Sequence, residues 1–98
     1  MSLNKKQFAF SKALAELILF IYKSGHTIQL GDVKATTGHI DNSKHYKSLA
    51  ADINLFFGGE YLKETKDHLL FGIYWEGLGG IWAGRFNKPD GNHYEWPE

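Results

Sequence analysis

The stretch Leu49-Ala50-Ala51-Asp52-Ile53-Asn54-Leu55-Phe56-Phe57-Gly58-Gly59-Glu60-Tyr61-Leu62 decides the fold class. Leu49 to Phe57 is apolar except at Asp52 and Asn54, so it reads as a strand buried on at least one face. Gly58-Gly59 predicts a tight turn into Tyr61-Leu62, which makes this strand one arm of a hairpin. Upstream, between Lys5 and Lys23, apolar residues recur at Phe10, Leu14, Leu17, Ile18 and Ile21 or Tyr22. That is helical spacing, with Lys12, Glu16 and Lys23 on the opposite polar stripe and Gly25 suited to the C-terminal cap. Thr27 to Val33 alternates polar and apolar residues and predicts another strand, and Lys34 to Lys47 reads as a polar loop.

Downstream, Thr65 is expected to cap a second helix, with Asp67 in its first turn favouring the helix dipole. Leu70, Ile73, Tyr74 and Leu78 are its expected core face, Trp75 and Trp82 are expected core aromatics, and Gly79-Gly80 ends the helix. Ile81 to Phe86 predicts a short strand. The turn-rich Asn87-Lys88-Pro89-Asp90-Gly91-Asn92 follows, and His93 to Trp96 closes the chain as a strand. The expected architecture is one α+β domain over residues 1–98, with two main helices packed on a small, mainly antiparallel sheet.

Composition excludes several function classes. Ninety-eight residues allow one compact domain, and 43% apolar with 15% aromatic content is enough for a core rather than a disordered chain. Eleven Lys plus Arg balance eleven Asp plus Glu, so no net positive field draws the protein to nucleic acid or anionic lipid. Zero Cys rules out disulfides, thiolate zinc fingers and a cysteine nucleophile. The most apolar run, Ala13 to Tyr22, contains Glu16 and falls short of the roughly 20 residues a bilayer span needs. Lys5 and Lys6 precede it, as in a signal peptide, but no small-x-small cleavage site follows. No export signal and no membrane insertion are therefore expected.

Five His are present. His26 and His68 read as structural or exposed, and His39 is ambiguous. His45 and His93 have more informative neighbours. Asp52, seven residues after His45, is the one charge in the apolar run, and an unpaired buried carboxylate costs several kcal/mol. A metal or a cation would remove that cost; so would a solvent-facing position shared with Ala50 and Asn54, and alternation allows either. Asp90-Gly91-Asn92-His93 places an acid three residues before a His on a turn. A zinc hydrolase needs three protein ligands and a nearby non-ligating carboxylate to take a proton from water. His45, Asp52 and His93 could supply the ligands and Asp90 the base, with Glu95 placed to orient His93. Asp90 equally suits a Pro-Asp-Gly turn with no chemistry attached.

At these residues the chain resembles a known family. Ser43-Lys44-His45-Tyr46-Lys47-Ser48-Leu49-Ala50-Ala51-Asp52 is similar to the S-x-H-x-x-G-x-A-x-D motif of the D-alanyl-D-alanine carboxypeptidase family of zinc peptidases. That family includes the phage L-alanyl-D-glutamate endolysins and has the fold of the hedgehog signalling domain. Asp90-Gly91-Asn92-His93-Tyr94-Glu95 resembles its C-terminal D-x-x-H motif, and Tyr74 to Phe86 its W-E-x-L-G-G-x-W-G-G-R-F stretch.

The resemblance implies Zn2+ held by His45, Asp52 and His93, with Asp90 as general base. It implies hydrolysis of the peptidoglycan stem peptide, at the L-alanyl-D-glutamate bond ahead of the terminal D-alanyl-D-alanine bond. A monomer released from the host cytoplasm by a holin, or carried in a virion, fits that role. A zinc-containing binding module without turnover is the alternative. Two positions depart from the pattern. Ser48 replaces the usual Gly, and Lys34-Ala35-Thr36-Thr37 stands where relatives carry an Arg that helps bind substrate and stabilise the oxyanion. Lys34 offers a point charge without the fork of Arg, and loss of an oxyanion donor can cost about 10²–10³-fold in rate. Ser43 is a further residue that could contact substrate, or simply cap its loop.

Overall fold

The computed structural model describes residues 2–33 and 49–98. Helix α1 spans Leu3–Lys23 and buries Phe10, Ala13, Leu17 and Ile21 along one stripe. The Ser2 side chain accepts a hydrogen bond from the Lys5 amide at its start. At its end the His26 amide donates to Ile21 O and the Gly25 amide to Tyr22 O. This reciprocal pair requires the left-handed φ of +88° at Gly25.

Strand β1 (Thr27–Leu30) runs antiparallel to β2 (Ala50–Phe57), pairing Thr27 with Phe56 and Leu30 with Ile53. Gly58 and Gly59, at φ +58° and +81°, turn β2 into β3 (Glu60–Leu62), the expected hairpin. Beside the first residues of β2 lies β5 (His93–Glu95), which pairs Asp52 with His93 and Ala50 with Glu95. On the far side of β5 is β4 (Ile81–Trp82), so the main sheet order is β1-β2-β5-β4. Ala51, Ile53 and Leu55 of β2 and Tyr94 of β5 are fully buried against α1 and α2 (Leu69–Gly77). The α+β architecture is the one expected.

Three local expectations are corrected. Thr65 does not cap the second helix: Glu64 is the N-cap of a 3-10 turn, Thr65–His68, with a reciprocal capping box to Asp67. Leu70 and Ile73 do not face the core, being 54% and 51% exposed; Phe71, Gly72 and Trp75 do. The run Leu69-Leu70-Phe71-Gly72-Ile73-Tyr74-Trp75 is apolar on every side, so periodicity does not choose its inner face. The choice follows from the Trp82 indole, against which only Gly72 leaves room: a Cβ there would lie 2.1 Å from Trp82 Cδ2. The strand predicted over Ile81–Phe86 stops at Trp82 and becomes a 3-10 turn, Ala83–Arg85. Of the two alternatives for His68, structural or exposed, the structural one holds: it is buried, its Nδ1 2.8 Å from the Tyr94 hydroxyl. Among the described residues, no helix is long and apolar enough to cross a membrane.

Candidate active site

Alternation along two neighbouring strands builds the site. On β2, Ala51 and Ile53 point into the core, which turns Asp52 to the other face; on β5, the buried Tyr94 does the same for His93 and Glu95. Because Asp52 and His93 are register partners, their side chains meet, with Asp52 Oδ1 3.1 Å from His93 Nδ1. The other ring nitrogen, Nε2, lies 2.9 Å from Glu95 Oε1. All three side chains are half-buried, between 13% and 23% exposed. Burial opposes charge on His93, but hydrogen bonds to Asp52 and Glu95, reinforced by their negative charge, raise its pKa to about 9. Asp52 therefore does not simply face solvent.

The backbone fixes Asp52 on its other flank. Its amide donates to Asp32 O, and its carbonyl accepts from the Gly31 amide, both at 2.8 Å. Gly31 permits this approach, since a Cβ there would lie 3.2 Å from Asp52 Cβ.

Asp90 and His93 are the ends of one turn, closed by the His93 amide donating to Asp90 O at 3.1 Å. The Asp90 amide in turn donates to Ala83 O at 3.0 Å. Asp90 is exposed. Asn92, beside His93, reaches Asn54 Oδ1 with its Nδ2 at 3.5 Å, so two amides extend the polar face beyond Asp52. Position Asn54 was legible from its place two residues after Asp52; Asn92 gave no sequence signal of its own.

Asp52 and His93 supply two donor types of a zinc ligand set, a carboxylate oxygen and an imidazole nitrogen, side by side. Two donors about 2.1 Å from a tetrahedral ion stand about 3.4 Å apart, a few tenths of an ångström beyond the 3.1 Å hydrogen-bonded separation of Asp52 Oδ1 and His93 Nδ1. Glu95 on the far nitrogen is the carboxylate partner that such a His requires. Among the described residues, no three His, Cys, Asp or Glu side chains form a complete ion site. The expected third ligand, His45, lies outside the described residues, as do Lys34, His39 and Ser43.

No protein-family model matches the chain, and no curated protein matches it either. Among solved structures, the Serratia marcescens L-Ala D-Glu endopeptidase ChiX is similar, with a TM-score of 0.66 over 96% of this chain and 85% of that one. The two chains share a fold. At 11% identity the likeness is one of architecture.

Proposed function

We propose that the protein is a zinc-dependent peptidase of the peptidoglycan stem peptide, cutting the L-alanyl-D-glutamate bond. The observation that carries this reading is the cross-strand meeting of Asp52 and His93, with Asp90 at the other end of the His93 turn. The fold shared with an L-Ala D-Glu endopeptidase supports the choice of substrate and bond. Asp52, His93 and His45 would hold the ion, and Glu95 would keep His93 Nδ1 aimed at it by engaging Nε2. When bound, zinc supplies Lewis acidity to the scissile carbonyl and to the attacking water.

Asp90 takes the proton from the attacking water and passes it to the leaving amine, a role that needs a carboxylate outside the ligand set. Lys34 and Ser43 bind the substrate. The protein acts as a monomer and reaches the wall through a holin or from a virion. The test is turbidity of purified sacculi with the zinc-loaded protein: it should fall, stop falling with a chelator, and resume when zinc is restored. Clearing that ignores the chelator would overturn the zinc dependence.

A further inference from the structure

The face of β5 opposite the site is gripped by the 3-10 turn Thr65–His68. Thr65 Oγ1 accepts from the Gly91 amide at 3.2 Å, and His68 Nδ1 lies 2.8 Å from the Tyr94 hydroxyl. Both contacts span 26 residues, and together they hold the chain at Gly91 and at Tyr94, on either side of His93 in sequence. The same Gly91 peptide is held at its carbonyl by Trp82 Nε1 at 2.8 Å. The turn also sits directly on Thr65: a Cβ on Gly91 would lie 2.6 Å from Thr65 Cα, a backbone atom that cannot swing away. Asp90 is tied to Ala83 and Asn92 to Ile53 through the backbone. Every link between the proposed base and the proposed ligand is thereby anchored to a neighbouring element.

Trp82 also fills the core between Gly72 and Gly84, so its loss would disturb far more than the site. Thr65 is different. Its hydroxyl caps no helix, because Glu64 does that; it accepts from the Gly91 amide.

We infer that Thr65 is a positioning residue, whose hydroxyl sets the Asp90–His93 turn and so the placement of both base and ligand. This rests on the peptidase reading above. Side chains that support a metal ligand typically change affinity or activity by about 10–100-fold when removed, and the low end applies to one acting through a peptide.

The experiment compares Thr65→Val, which keeps the shape and removes the hydroxyl, with Thr65→Ser, which keeps the hydroxyl and removes the methyl. Zinc affinity is read by chelator competition, and kcat and KM on a soluble muropeptide. Thr65→Val should lose about tenfold in zinc affinity and about tenfold in kcat with KM nearly unchanged, while Thr65→Ser stays close to wild type. Should Thr65→Val fail to fold, Thr65→Ala removes the same acceptor and gives the same loss. Wild-type values in Thr65→Val or Thr65→Ala, or an equal loss in Thr65→Ser, overturn the inference. Zinc binding and turnover by the wild-type protein test the peptidase reading, and variant-to-wild-type ratios test Thr65, so the two failures are told apart.

Discussion

Asp52 and His93 stand opposite each other on antiparallel strands 41 residues apart in sequence, with Oδ1 and Nδ1 separated by 3.1 Å. A register shift of one residue would send Asp52 into the core and Ile53 to the site, so the pair depends on the same alternation that builds the sheet. Replacing either partner leaves an ion one donor short. Asp52→Ala and His93→Ala are each expected to abolish stoichiometric zinc binding in a calorimetric titration, with the fold retained by circular dichroism.

Asp90→Ala separates binding from catalysis. General-base contributions are typically about 10²–10⁴-fold, and Asp90 is not among the expected ligands. Muropeptide turnover should drop by at least about a hundredfold while one equivalent of zinc stays bound. Full activity in Asp90→Ala sinks the assigned base.

Glu95 accepts from His93 Nε2. Glu95→Gln keeps the size and removes the charge that favours that hydrogen bond. Zinc affinity by chelator competition should fall by about tenfold or more. Unchanged affinity would show that His93 is oriented without Glu95.

How much of this was legible before the structure follows from which residues had a unique physical solution. The hairpin at Gly58-Gly59, helix α1 and the strand around Asp52 each had one, because glycine punctuation and apolar period agreed. The outward-facing set Asp52, His93 and Glu95 followed from alternation once the strands were placed. Helix α2 did not, since Leu70 and Ile73 are as apolar as Phe71 and Trp75, and only the indole of Trp82 against Gly72 selects a face. Thr65 looked like a cap because its hydroxyl can serve one; its real partner, Gly91, is 26 residues away and invisible to local pattern. For His68 the pattern left structural and exposed positions open, because the partner that decides between them, Tyr94, lies on the last strand.

Gly72 gives a stability test of that packing. The Cβ of Gly72→Ala would fall inside the Trp82 ring at 2.1 Å from Cδ2, so the helix or the indole must move. A loss of about 1–3 kcal/mol in urea denaturation is expected, as for other overpacked cores.

His68 gives a pH test. Burial lowers its pKa from 6.5 to about 4, with Asp67 partly opposing and His26 adding to the shift. Between those two values the unfolded chain binds the proton and the folded protein does not, so stability rises with pH through that window and is lost on acidification. The full difference is about 3 kcal/mol. His68→Gln should flatten the dependence of urea stability on pH between 4 and 6.5 relative to wild type. A parallel curve in the variant would mean that other groups carry the acid sensitivity.

The most direct test of the central claim is to digest purified peptidoglycan with the zinc-loaded protein and identify the released products by mass spectrometry, with a chelator control. The account predicts chelator-sensitive release of peptides that begin at D-Glu. Release of D-Ala alone would move the cut to the terminal bond. Firmly bound zinc with no product at all would contradict the peptidase and make this fold a metal-containing binding module.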